Sequence, residues 1–230
     1  MAAAPSGLNR FYYLLGGAAV LGAAAIAYLA IRRPPVSIPA NVVIQVSDTS
    51  GFHGYYEGSD SAPMTVTEYA DYECPACQQF MTVQMPTIEE RLIHTGRVRW
   101  RYRDFPLDGV HPHTRIVAHA AACADEQGKF WAMNQRIYTW DSEWPGKRDV
   151  TGVFRDYARD LGMDVAKYDG CMESARYSGR IEASKSEGLQ VGVQSTPTFL
   201  INGRLYEGGE KVHYDMLKAL LDSLQGHPAK

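Results

Sequence analysis

Cysteine is scarce, with only four in 230 residues, and beyond Cys74-Pro75-Ala76-Cys77 there is no second C-x-x-C. A structural zinc site on that pair needs two further ligands in a second cluster, so the spacing favours a thiol-disulfide redox pair. Long blocks of one charge are also missing. Lys and Arg number 23 against 26 Asp and Glu, interspersed to a net charge of -3, so the electrostatic footprint of a nucleic-acid binder is lacking and no nucleic-acid partner is expected. There is no internal repeat, and no low-complexity tract beyond an alanine-rich N-terminal run. No Met or His cluster stands beside the cysteine pair to support soft-metal delivery. Neither a cofactor nor a resident metal is expected.

What is present begins with an uncharged run from Phe11 to Ile31, long enough for one helix to cross a hydrocarbon core of about 30 Å. It exceeds the apolar region of a cleavable signal, roughly 7 to 15 residues, although Ala23 to Ala27 offers A-x-A-like sites. Residues 1–33 therefore read as an uncleaved membrane anchor. Arg10 on one side and Arg32 and Arg33 on the other leave its orientation open. Two candidate disulfides in one chain point to an oxidising compartment, which puts the body on the extracytoplasmic side, periplasmic or cell-surface, tethered to the inner or cytoplasmic membrane. Residues 34–58, with Pro34, Pro35 and Pro39 and a Ser/Gly/Asp/Thr-rich stretch from Ser47 to Gly58, read as linker and irregular lead-in, with Val42 to Val46 as a short strand.

Met64 to Tyr72 is rich in β-branched and aromatic residues and reads as a strand. Pro75 suits the first turn of a helix, where its missing N–H costs nothing. Phe80, Met81, Met85, Ile88 and Leu92 then recur at helical spacing up to Gly96, with a kink expected at Pro86. Val98, Trp100 and Tyr102 alternate with Arg99, Arg101 and Arg103 as a second strand. His113 to Thr139, Val150 to Gly162 and Asp164 to Lys185 are alanine-rich and charged with helical periodicity, interrupted by a loop from Trp140 to Arg148. Thr198 to Ile201, Asn202-Gly203 and Arg204 to Glu207 form a hairpin signal, and Tyr214, Leu217, Leu220, Leu221 and Leu224 give a last helix one apolar stripe.

Five segments in that order resemble the DsbA family of thioredoxin-fold oxidoreductases: Ala62-Pro63, Glu68-Tyr-Ala-Asp-Tyr-Glu-Cys-Pro-Ala-Cys77, Arg103-Asp-Phe-Pro-Leu107, Glu126-Gln-Gly-Lys-Phe-Trp131 and Ser195-Thr-Pro-Thr-Phe-Leu-Ile-Asn-Gly203. The resemblance spans Gly58 to Leu224. It implies an α/β thioredoxin-like fold over 59–108 plus 188–228, with an inserted α-helical domain over 109–187 and the single transmembrane helix ahead of it. It also implies Cys74 as nucleophile, Cys77 as resolving cysteine, and Pro197 as a cis-proline facing them with Thr196 before it. Pro75, Ala76, Thr196 and Pro197 would then contact substrate. The Pro-Ala dipeptide departs from the Pro-His of the best-known members, which leaves the direction of exchange open.

Residue by residue, Cys74 at a helix N-terminus gains a stabilised thiolate from unpaired N–H groups and the helix dipole. Cys77, one turn in, is expected to be more buried. Glu68 upstream on the strand is the candidate proton acceptor for it, the alternative being an exposed residue paired with an arginine such as Arg101. Cys123 and Cys171 read as a structural disulfide, with free thiols or a second redox pair as rivals. His111, His113 and His119 lack partners at metal-ligand spacing. Tyr72, Phe80 and Phe199 read as core, with an apolar docking surface as the alternative.

The leading functional expectation is an extracytoplasmic oxidoreductase that donates disulfides to exported proteins with cysteines and is reoxidised by a quinone-linked membrane thiol oxidase. A reductase or isomerase fed by a membrane electron donor uses the same residues in reverse. A Cu(I) metallochaperone and a chaperone acting through its surface alone are the rivals from other classes.

Overall fold

The computed structural model describes residues 7–31, 36–39, 49, 51–140 and 144–225. Arg32, Arg33, Pro34, Pro35 and the Val42 to Val46 strand lie outside the described residues. The chain divides into two units, Met1–Pro35 and Val36–Lys230. In the first, α1 (Gly7–Ile31) contains an exposed apolar stretch, Phe11–Tyr28, long and apolar enough to span a bilayer.

The second unit is built on a five-stranded sheet with order β1-β3-β2-β4-β5. Its strands are β1 (Tyr55–Glu57), β2 (Met64–Ala70), β3 (Val98–Asp104), β4 (Thr198–Ile201) and β5 (Arg204–Glu207). Central β2 runs parallel to β3 and antiparallel to β4. The alternation in β3 has the expected outcome: Val98, Trp100 and Tyr102 are wholly buried on one face, while Arg101 and Arg103 on the other converge on Glu187. Strand β1 is a correction, because the lead-in to Gly58 was expected to be irregular. Tyr55 pairs with Tyr102, and its ring stacks 3.5 Å from Phe130. This strand is too short to show a period, and only its partner across the sheet defines it.

The helical stretch after β2 starts as α2 (Pro75–Gln79), widens into a π turn at Phe80–Gln84, returns as α3 (Met85–Ile88) and widens again at Glu89–Ile93. Pro86 was expected to kink a single helix. A π turn lies just before it, and Pro86 falls in the first turn of the segment that follows, where its missing N–H is least needed. Phe80, Trp100 and Phe199 pack ring to ring within 4.7–5.9 Å. Tyr72, Phe80 and Phe199 are thus core residues rather than an open docking face.

Between β3 and β4 lie α4 (Thr114–Asp125), α5 (Phe130–Tyr138), α6 (Thr151–Asp160), α7 (Val165–Ser174) and α8 (Ser178–Val191). The Asp164 to Lys185 run is two helices, because Ala175 adopts a left-handed conformation that ends α7. Asp164 caps the start of α7, accepting from the amides of Ala166 and Lys167. Helix α8 packs on the sheet through Gly188, where a Cβ would sit 2.6 Å from the Phe105 ring. Any side chain there requires the Phe105 ring to shift. The β4–β5 turn has positive φ at Asn202 (51°) and Gly203 (77°), as a two-residue hairpin requires. The last helix, α9 (Tyr214–Gln225), buries Leu217 and Leu221.

Candidate active site

Strand β2 ends at Ala70, and the turn Asp71 to Cys74 delivers Cys74 to the N-cap of α2 in an extended conformation. Pro75 occupies the first helical turn, where no N–H is needed, and it and Ala76 are exposed. Cys74 is nearly buried at 7% exposure, and Cys77 is fully buried. Both are free thiols.

The two sulfurs sit in opposite electrostatic environments. The Cys74 thiol is lowered from 9.0 to about 5, chiefly by the hydrogen bond from Cys77. Burial opposes this, while the Thr196 side chain and the backbone N–H groups of Cys77 and Ala76 favour the thiolate. Burial pushes Cys77 well up, and the neighbouring Cys74 charge adds to that rise. One cysteine therefore carries the negative charge while the other keeps its proton.

The Thr196–Pro197 peptide bond is cis, and the Cys74 sulfur lies 3.3 Å from the Thr196 carbonyl, to which it donates when protonated. Pro197 is buried, and its carbonyl accepts from the Gly208 amide at 2.9 Å. Beside α2 a shallow cleft of about 100 Å³ is lined by Ala76, Phe80, Val83 and Glu210 among others.

Glu68 is fully buried on β2. The Trp100 indole N–H donates to its Oε2 at 2.9 Å, and Oε1 has no hydrogen-bond partner among the described residues. Burial raises this carboxyl from 4.5 to about 7. The arginine-paired alternative fails, because the parallel register sets Glu68 beside Tyr102 and leaves Arg101 to pair with Glu187 across the other face. Glu68 lies close enough to Cys77 for its charge to raise that thiol further.

Cys123 and Cys171 are joined by a buried disulfide between α4 and α7, with an S–S distance of 2.05 Å. The three histidines do not converge: His111 contacts Asp71, His113 contacts the Lys147 carbonyl, and His119 contacts the Cys171 carbonyl.

The residues that sequence reasoning did not single out for the site are Asp71, Trp100 and His111. Asp71 sits within the Glu68 to Cys77 segment but carries no periodic signal of its own. Trp100 reads only as a core position until its indole N–H is found donating to Glu68 from the neighbouring strand.

The family model described as thioredoxin matches residues 53–223. The chain belongs to the thioredoxin family. Among solved structures of this fold, the DsbA of Chlamydia trachomatis superposes with a TM-score of 0.68 at 19% identity, over 84% of this chain and 100% of that one. The fold is therefore thioredoxin-like with a helical insertion, as the resemblance implied. A "Probable disulfide bond formation protein D" of Bacillus anthracis is 24% identical over 72% of this chain and 75% of its own length. The "Na(+)/H(+) antiporter NhaA 3" of Salinispora tropica is 35% identical over 67% of this chain but only 22% of its own length. This thioredoxin-family chain spans about a quarter of the length of the antiporter relatives it matches, 22% and 28% in two of them.

Proposed function

We propose that this protein is an extracytoplasmic, membrane-tethered thiol-disulfide oxidoreductase that acts as a disulfide donor to exported proteins. The observation that carries the reading is the split between the two thiols: Cys74 held as a thiolate with a value of about 5, and Cys77 buried and protonated. A stabilised thiolate favours the reduced form of the pair, which makes its disulfide a stronger oxidant. About 1.4 kcal/mol of such stabilisation moves the two-electron potential by roughly 30 mV. The match to a disulfide bond formation protein supports the same direction.

In the donor direction a substrate thiolate attacks Sγ of Cys74 in the Cys74–Cys77 disulfide. A mixed disulfide forms, and Cys77 leaves and takes up a proton. Glu68, with a carboxyl value of about 7, is the group placed to supply it. A second substrate thiolate then attacks the substrate sulfur, closing the substrate disulfide and expelling Cys74 as its stable thiolate. Two electrons now reside on the protein, and a quinone-linked membrane thiol oxidase removes them. Pro75 and Ala76 on one side and Thr196-Pro197 on the other form the contact surface for an extended substrate segment. The disulfide Cys123–Cys171 is structural in this scheme, and α1 is the membrane anchor. A Cu(I) carrier is less well supported, because buried Cys77 resists becoming the second thiolate such a site needs.

The deciding experiment is equilibration of the full chain in detergent against glutathione, following Cys74–Cys77 separately from Cys123–Cys171. A potential less negative than about -200 mV supports the donor. A thioredoxin-like value near about -270 mV transfers the assignment to a reductase or isomerase using the same residues.

A further inference from the structure

Three consecutive residues tie the turn that carries Cys74 to the helical block: Asp71 and Glu73 to the segment ahead of α4, and Tyr72 to Trp140 just after α5. Asp71 Oδ2 accepts from the Leu107 amide at 2.8 Å and contacts Nδ1 of His111 at 2.9 Å. The Tyr72 carbonyl accepts from the Trp140 indole at 3.2 Å. Glu73 Oε2 accepts from the His113 amide at 2.6 Å. Asp71 is the centre of this arrangement. Its Oδ1 accepts from the Glu73 amide at 2.8 Å, and its carbonyl accepts from the Cys74 amide at 3.1 Å. Its own backbone N–H is directed at Cys77. The side chain is completely buried, yet its carboxylate is not left bare, because three donors converge on its two oxygens.

Such an arrangement costs a buried carboxylate and is repaid only in geometry. The ionisation of Cys74 is set by hydrogen bonds to its sulfur and by burial, so Asp71 bears on it through the position of the turn, whereas a negative charge acting directly on a thiolate would oppose its ionisation. As an acceptor it does what no neutral side chain of its size can: both oxygens receive donors at once, so the turn is fixed from inside the thioredoxin domain and from the segment entering the insertion together.

We propose that Asp71 is the positioning residue of the redox turn, with His111 as the clip that holds its Oδ2. The carboxylate acts through Cys74, keeping the sulfur where Thr196 and the first amides of α2 reach it. This rests on the proposed exchange chemistry, but its signature is the ionisation of Cys74, which can be read whether or not exchange is catalysed. An asparagine at position 71 retains one acceptor and turns an amide N–H toward the converging donors, which loosens the turn. Removing the charge alone has the opposite sign, because it leaves a more stable thiolate. The sign of the shift therefore separates a positioning role from a purely electrostatic one.

The test is thiolate absorbance at 240 nm against pH for the reduced full chain in detergent, comparing wild type, Asp71→Asn, His111→Ala and His111→Gln. The expected results are an upward shift of the Cys74 midpoint by about one pH unit in Asp71→Asn, a ten-fold change in ionisation constant. A smaller upward shift is expected in His111→Ala, with recovery in His111→Gln, whose amide restores a neutral donor. A midpoint in Asp71→Asn that stays in place or moves down overturns the proposal. If Asp71→Asn does not fold, the His111 pair decides: equal midpoints in His111→Ala and wild type overturn it, and a rise in His111→Ala cured by His111→Gln supports it. If the wild type catalyses no thiol exchange while these shifts appear, the functional reading fails and the positioning role stands.

Discussion

The indole N–H of Trp100 donates to one oxygen of the buried Glu68 carboxyl at 2.9 Å, while the other oxygen has no partner among the described residues. One donor does not offset the loss of water, so the carboxyl holds its proton up to about pH 7. A buried acid with a half-satisfied carboxyl close to Cys77 is the arrangement a proton donor for that sulfur requires.

Replacing Glu68 by Gln keeps the acceptor for Trp100 and removes the titration. Between 4.5 and about 7 the folded wild type binds more protons than the unfolded chain, so its stability falls as pH rises through that window. Glu68→Gln is expected to flatten this fall, giving denaturation midpoints that match wild type near pH 4 and exceed it at pH 8. The exchange step that protonates Cys77 is expected to slow on the order of 100-fold in stopped-flow measurements. Unchanged kinetics in a folded variant would remove Glu68 from the mechanism.

The depressed Cys74 value makes the reduced protein respond to pH in the opposite sense. From 9.0 down to about 5 the unfolded chain binds more protons at this thiol than the folded one, so this contribution to stability is lost as pH falls and is gone below about 5. The oxidised protein has no thiol to titrate there. Thermal melts should show the reduced form gaining on the oxidised form between pH 5 and 8. Alkylation of Cys74 by iodoacetamide should have its midpoint near 5. A midpoint above 8 would contradict the thiolate.

The inequality between the cysteines sorts their variants. Cys74→Ser is expected to abolish exchange, whereas Cys77→Ala should accumulate a mixed disulfide between Cys74 and a thiol substrate, visible as an adduct by intact mass. Adducts on Cys77 in the reciprocal variant would reverse the assignment, since that sulfur is fully buried.

The Cys123–Cys171 bond closes a loop of 48 residues between two helices. In the chain-entropy model its removal costs about 4 kcal/mol. The Cys123→Ala/Cys171→Ala double variant is therefore expected to melt several degrees lower while keeping its exchange rate with dithiothreitol-reduced substrates. A lost rate in a folded double variant would make this pair part of the redox chemistry.

Much of the architecture was legible because local signals agreed with the final packing. The alternation from Val98 to Arg103, Pro75 after Cys74, and Asn202-Gly203 each constrain the backbone within a few residues, and the tertiary fold keeps those constraints. Signals that rely on partners far along the chain stayed silent. Three-residue β1 exists because Tyr55 meets Tyr102, and the break at Ala175 falls on a left-handed alanine, the residue type of highest helix propensity. The π turns on either side of Met85–Ile88 left no mark in the sequence, because a π turn keeps helical periodicity approximately while changing which side chains share a face.

Local sequence was enough to place a C-x-x-C at a strand-to-helix junction, its first cysteine at the start of that helix, and an apolar helix ahead of the body. These follow from neighbours within one or two turns. The surroundings of each carboxylate came from packing. Glu68 and Asp71 are both acidic residues in one short motif, yet Glu68 meets a single indole and keeps its proton, while three donors converge on Asp71. The charge and role of a buried carboxyl are set by solvent access and by donors brought from distant strands and loops, and no local pattern records either.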